Sequence, residues 1–228
     1  MSEPNAVDVD ALFDRLLIGD DPALTATREA TAAAGMPPIE VSAQYGKFLY
    51  LLASAMRARR ILEIGTLGGF STIWLARAVG PQGHVVTLEY EPKHAEVAQS
   101  NLDRAGVGER VEVIVGAALD TLPQLRGSDP FDLVFVDADK ENNSAYVQWA
   151  VELTASGSII AVDNVVRMGR VLAPAADDHQ AQGVVDMLNM ISAHPRLEAA
   201  AIQTVGVKGW DGFPSGPGDV GVRVNVVV

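Results

Sequence analysis

A chain of 228 residues, 48% hydrophobic and 20% charged, is long enough to bury one large core and lacks the polar bias of a disordered segment. Its formal net charge of -12 disfavours nucleic acid and anionic membranes as partners, and the absence of cysteine excludes disulfides, thiolate metal sites and cysteine nucleophiles. No apolar run reaches the roughly 20 residues of a membrane-spanning helix, and the acidic stretch 1–10 lacks the basic start and apolar run of a signal peptide, so a cytoplasmic location is expected.

Val9, Leu12, Phe13 and Leu16 recur at helical spacing. Asp21 followed by Pro22 reads as the cap and first position of a second helix, which Gly35, Pro37 and Pro38 stop. Ser42 caps a third, with Phe48, Leu49, Leu52 and Met56 predicted on its inner face. After this helical stretch the pattern changes. Short apolar runs at 60–64, 84–89, 111–115, 131–136 and 158–162 read as strands, with a further strand predicted at 198–204. Helices at 71–78, 92–104 and about 183–193 fall between them. Such alternation implies an α/β fold, a parallel sheet with helices on both faces. No repeat or linker divides the chain. The reading is one domain over 1–228, a helical N-terminal extension at 1–58 and an α/β core at 59–228.

In an open sheet of this kind ligands bind beyond the carboxyl ends of the strands. Those ends carry Glu63, Glu89, Asp137 and Asp163. The first is followed by a glycine-rich turn, whose spacing is not the dinucleotide G-x-G-x-x-G. Glu63 would repel a pyrophosphate and suits a positively charged ligand. Glu89 is placed to accept from two ribose hydroxyls. If the strands ending in Asp137 and Asp163-Asn164 are neighbours, those ends lie about 5 Å apart. Three oxygen donors with no histidine or cysteine suit magnesium, manganese or calcium better than zinc or copper.

The segment ILEIGTLGGFS at 61–71 resembles the cofactor motif of class I S-adenosylmethionine-dependent methyltransferases. Within that group the chain resembles the cation-dependent O-methyltransferases, which include catechol and caffeoyl-coenzyme A methyltransferases. Further matches are VSAQYGKFL from Val41, VTLEYEP ending at Pro92, GAALD from Gly116, FVDADK from Phe135 and VDNV from Val162, so the resemblance spans about residues 36–210. It implies a Rossmann-like methyltransferase fold with a mostly parallel seven-stranded sheet. It implies S-adenosylmethionine as cofactor, held by Val41, Glu63, Gly65, Thr66, Ser71, Glu89, Ala118 and Asp137, with Tyr90 packed on adenine. It implies Mg2+, or else Mn2+ or Ca2+, on Asp137, Asp163 and Asn164, and makes Lys140 the group that accepts or stabilises the phenolic proton. The implied reaction moves a methyl group to a hydroxyl of a small catechol-like or phenolic acceptor, and the implied assembly is a homodimer.

Several residues depart from the family pattern. Ala118 replaces a serine, and Asn143 a tyrosine that would wall the acceptor site. Tyr146 is expected at the acceptor pocket or beside Lys140, Trp149 in the core, and Trp210 with Asp211 at the pocket mouth. A Pro- and Gly-rich stretch at 214–218 precedes a strand-like run at 222–228. His84, His94, His179 and His194 show no metal-ligand spacing and are read as structural or exposed. Only scattered arginines such as Arg167 and Arg170 could meet a coenzyme A thioester, which favours small free phenolics. Two alternatives stay open: a nicotinamide-dependent oxidoreductase, and a non-catalytic module that binds S-adenosylmethionine.

Overall fold

Alternation along the strands decides the layering. In the computed structural model, which describes residues 5–203 and 205–210, β1 (Arg60–Ile64), β2 (His84–Glu89), β3 (Val111–Val115), β4 (Phe131–Val136) and β5 (Thr154–Val162) form one parallel sheet in the order β3-β2-β1-β4-β5. Ile61, Val85, Leu133, Phe135 and Ala161 face one layer, built on α3 (Ala43–Met56) and α4 (Phe70–Val79). Their neighbours Leu62, Val86, Val134, Ile160 and Val162 face the other, built on α7 (Asn143–Leu153) and α8 (His179–Ala193). Burying such a side chain contributes about 1.5–3 kcal/mol, so a one-residue slip would turn both faces wrong at once. The strand order reverses between β1 and β4, where a sheet of this type opens its ligand crevice.

The N-terminal helices cover the edge of that crevice. α1 (Ala6–Phe13) is capped by Asn5 and runs into a π-type turn at Asp14–Ile18. Asp21 caps α2 (Pro22–Ala33) and also takes the Arg77 guanidinium of α4 at 2.6 Å, which holds its carboxyl below the usual range. Lys93, in α5 (Pro92–Arg104), donates to the Ala34 carbonyl at 2.5 Å. α2 is thereby tied to the two helices that flank the cofactor turn. No helix among the described residues is long and apolar enough to cross a membrane.

Three sequence expectations change. Phe48 is not on the inner face of α3; it is 36% exposed and stacks on Tyr45. α3 meets α4 through Gly46, whose missing side chain makes room for the Trp74 indole, and through the buried Leu49 and Ala53, which turns Phe48 outward. Val9, Leu12, Phe13 and Leu16 lie at helical spacing in α1 and the turn after it, as expected, and all are exposed. The strand expected at 198–204 is absent over 198–203, where Ala199, Ala200 and Ala201 lie exposed outside any strand. A short antiparallel pair follows, β6 (Val205–Gly206) with β7 (Gly209–Trp210). The described residues therefore hold five parallel strands in the main sheet instead of seven, and the strand expected at 222–228 and Asp211 fall outside them.

Candidate active site

Glu63 and Thr87 are register partners on β1 and β2. Thr87 Oγ1 donates to Glu63 Oε2 at 2.6 Å, Thr72 Oγ1 to the same oxygen at 2.5 Å, and Ser71 Oγ to Oε1 at 2.7 Å. Thr66 Oγ1 lies 2.6 Å from Thr87 Oγ1 and, with Thr87 already donating, serves as the donor. Glu63 has no exposed surface. Burial pushes its carboxyl up to about 7, against the three hydroxyls, which favour the charged form; the nearby charge of Asp137 pushes it up further. Of the expected cofactor residues, Glu63, Thr66 and Ser71 thus bond to one another's neighbourhood beneath the turn.

Two glycines of the turn serve close packing. A Cβ on Gly65 would lie 2.2 Å from the Asp137 carbonyl, and one on Gly68 would lie 2.1 Å from Thr31 Oγ1 of α2. No side chain caps α4 behind Gly69. Its first amides, which have no acceptor within the helix, are therefore left as donors at the turn after β1. Glu89, at the end of β2, receives the amides of Thr66 (3.2 Å) and Leu67 (2.8 Å) on Oε2 and that of Glu91 (3.0 Å) on Oε1. Val41 is buried just before the Ser42 cap of α3, and Ala118 opens α6 (Ala118–Thr121) beyond Gly116, whose amide donates to the Glu89 carbonyl. Tyr90 is 70% exposed, free to pack on a ligand.

At the far side of the crevice Val136 and Val162 are register partners, so Asp137 and Asp163 follow side by side, about 4.8 Å apart along the sheet. Asp163 is buried, and its Oδ1 accepts the Asn164 amide at 2.9 Å. Asn164 adopts a left-handed φ of 59°, which asparagine tolerates better than most residues. Lys140 is also buried, and its Nζ donates to Asp137 Oδ1 at 2.9 Å, not to Asp139 or Glu141. Asp139 instead accepts from Asn142 and from the Tyr146 hydroxyl. Burial first, and that bond second, raise the Tyr146 phenol above its usual range. The donors of Asp137, Asp163 and Asn164 form a hard-oxygen set that fits Mg2+, Mn2+ or Ca2+. No three His, Cys, Asp or Glu side chains converge to hold a metal among the described residues.

The O-methyltransferase family profile matches residues 17–208. The chain belongs to the O-methyltransferase family. A catechol O-methyltransferase of Mycobacterium tuberculosis is 65% identical over 211 residues, 92% of this chain and 95% of that protein. The cofactor-bound crystal structure of Rv0187 from MTB superposes with a TM-score of 0.90 at 62% identity, covering 99% of both chains. The O-methyltransferase from Bacillus cereus, crystallised with SAH, gives 0.90 at 46% identity over 98% of both chains. The molecule is an S-adenosylmethionine-dependent O-methyltransferase on a Rossmann-like fold, which sets aside the nicotinamide alternative.

Sequence reasoning missed several residues of this O-methyltransferase site. Thr72 and Thr87 complete the Glu63 cage, and the period-two register that pairs residue 63 with 87 was the available signal. Gly183 lets α8 rest on the Lys140 turn, since a Cβ there would lie 2.4 Å from the Lys140 carbonyl. His94 sits in the first turn of α5 with Nδ1 3.5 Å from Glu89. Asn143 is fully buried and neither amide atom finds a hydrogen-bond partner. Trp149 is partly buried against the core under Arg126, and Trp210 packs on the loop at Gly169. Two recesses of about 380 and 460 Å³ lie away from the strand-end acids; the first backs onto the cofactor turn through Ala43 and Phe70.

Proposed function

We propose that this O-methyltransferase moves the methyl group of S-adenosylmethionine to one hydroxyl of a small catechol-like acceptor, with Mg2+, or Mn2+ or Ca2+, held by Asp137, Asp163 and Asn164. One observation carries the reading. Asp137 and Asp163 directly follow the register partners Val136 and Val162 at the ends of β4 and β5, and Gly65 of the cofactor turn packs on the carbonyl of Asp137. A methyl donor in the turn and an acceptor at the acids would then meet. Bound there, the cation would acidify a chelated phenol, which alone ionises near pH ~10. Two vicinal hydroxyls suit one chelating ion, and two curated relatives, from Mycobacterium tuberculosis and Niastella koreensis, are named catechol O-methyltransferases.

The chain's own residues supply the rest. Val41, Gly65, Ser71 and the start of α4 hold the methionine part, Glu89 the ribose, and Ala118 with Tyr90 the adenine, while Glu63 and Thr66 brace the turn. Lys140 is the group that accepts or stabilises the proton leaving the acceptor, and its bond to Asp137 Oδ1 holds its Nζ in place for that role. The new O–C bond forms as the C–S bond breaks, which neutralises the sulfonium, so much of the rate comes from alignment. Arg170 is paired with Asp178 and Arg167 with Gln180, which leaves little cationic surface for a coenzyme A thioester and favours small free phenolics. The enzyme works in the cytoplasm as a homodimer, and the exposed apolar stripe of α1 supports the dimer.

The test is methyl transfer to a panel of catechols with Mg2+, then with excess chelator. Activity removed by chelator and restored by Mg2+ is expected. Activity indifferent to chelator discards the metal. The double variant Asp163→Ala, Asn164→Ala should lose at least a hundredfold in kcat, on the order expected for removing a metal-held charge. Its affinity for S-adenosylhomocysteine should stay within about threefold of wild type, less than one ordinary hydrogen bond contributes.

A further inference from the structure

Glu89 is crowded. Its Oε2 accepts from the amides of Thr66 and Leu67, and its Oε1 accepts from the amide of Glu91 and lies 3.5 Å from His94 Nδ1. An ionised carboxylate offers about four lone-pair positions. The three amides fill three of them, two on Oε2 and one on Oε1, and the His94 imidazole lies within ion-pair reach of the oxygen that has a position left, so that side chain must yield when a ribose hydroxyl takes it. The amides of Thr66 and Leu67 belong to the turn itself. Leu67 sits at a left-handed φ of 50°, a conformation that its bond to Glu89 helps to hold. The Glu91 amide follows Glu89 by two residues and precedes the rigid Pro92. His94 differs from all three. It is a side chain with rotatable bonds, it is partly exposed, and its contact is the longest of the four.

We propose that His94 is a placeholder for a ribose hydroxyl, occupying Glu89 Oε1 while the crevice is empty and swinging aside when the cofactor binds. The inference rests on the reading of Glu89 as the ribose acceptor. His94 keeps the carboxylate paired and turned toward the crevice in the free enzyme. It also sets cofactor affinity, because its own contact is surrendered on binding. The other ribose hydroxyl then has to find its acceptor elsewhere in the crevice.

The test is calorimetric titration of S-adenosylhomocysteine, and of its 2′-deoxy and 3′-deoxy forms, into wild type, His94→Phe, Glu89→Gln and the double variant. His94→Phe should bind S-adenosylhomocysteine about two- to tenfold more tightly, the range of one net hydrogen bond. The gain should vanish in the Glu89→Gln background and with the deoxy form that lacks the displacing hydroxyl. In wild-type protein the His94 imidazole nitrogen signals, assigned by their loss in His94→Phe, should move when S-adenosylhomocysteine is added. Equal or weaker binding by His94→Phe, or imidazole signals that stay in place, overturns the placeholder and leaves the ribose reading intact if Glu89→Gln is still weakened. Glu89→Gln binding as tightly as wild type overturns the ribose reading and the placeholder together. His94 lies outside the core, and the wild-type signals decide the matter even if a variant folds poorly.

Discussion

Burial and hydrogen bonding oppose each other at Glu63, and burial wins. Its folded value of about 7 stands above the ordinary 4.5, so the folded state holds this proton more tightly than the unfolded chain. The associated stability is complete below pH 4.5 and is lost as pH rises through about 7. A gap of this size corresponds to a few kcal/mol, on the order of 3, between the two ends of the window. Glu63→Gln removes the titration while keeping an acceptor oxygen for the hydroxyls. Its melting temperature should fall less than that of wild type between pH 5 and 8, as calorimetry would show. Parallel curves would mean that Glu63 stays ionised in the fold. At this scale the sequence was legible in kind only. It placed acids at the ends of β1, β2, β4 and β5, and the structure has them there. It could not tell that Glu63 turns toward the α4 layer and meets three hydroxyls, because spacing names a face and not the atoms across from it.

Elements were legible where their side chains are apolar. The expected limits of β1, β2, β3 and β4 agree with the structure, since each is an apolar run bounded by turn residues, although in β3 only Val111 is buried. β5 starts four residues earlier than the apolar run, because Thr154 pairs with Phe131 and 155–157 (Ala-Ser-Gly) span an irregularity in the register that carries no hydrophobic signal. α8 likewise starts at His179, where the Asp178 side chain caps it, ahead of the first apolar position. Alanine misled the reading at 198–204, being apolar but poor in strands. The same limit hid Gly183, which looks like a flaw inside α8 and is where that helix contacts the Lys140 turn. Gly183→Val should push the turn away from Asp137. We expect kcat to fall at least tenfold, with a loss of about 1–3 kcal/mol from overpacking. Kinetics beside a denaturant titration would check both. Full activity in a folded variant would show that Lys140 does not depend on that packing.

The whole molecule has one feature that its own core does not use. α1 and the π-type turn after it bury no residue, yet Val9, Leu12, Phe13 and Leu16 form a helical stripe and Leu17 lies exposed beside it. Helical periodicity announces an apolar face without saying what covers it. The segment is not loose: Asp10 accepts the Val207 amide, which ties α1 to the β6–β7 hairpin. A net charge of -12 opposes self-association, so a dimer must rest on apolar burial, typically about 800 Å² from each partner. Leu12→Glu with Leu16→Glu would set two like charges against their copies across a two-fold interface, a juxtaposition that costs several kcal/mol. The wild type should behave as a dimer by light scattering and the double variant as a monomer at the same concentration. Its affinity for S-adenosylhomocysteine should be unchanged, because every expected cofactor residue comes from 41–137. A wild type that scatters as a monomer, or a variant that stays dimeric, would take the interface off this stripe.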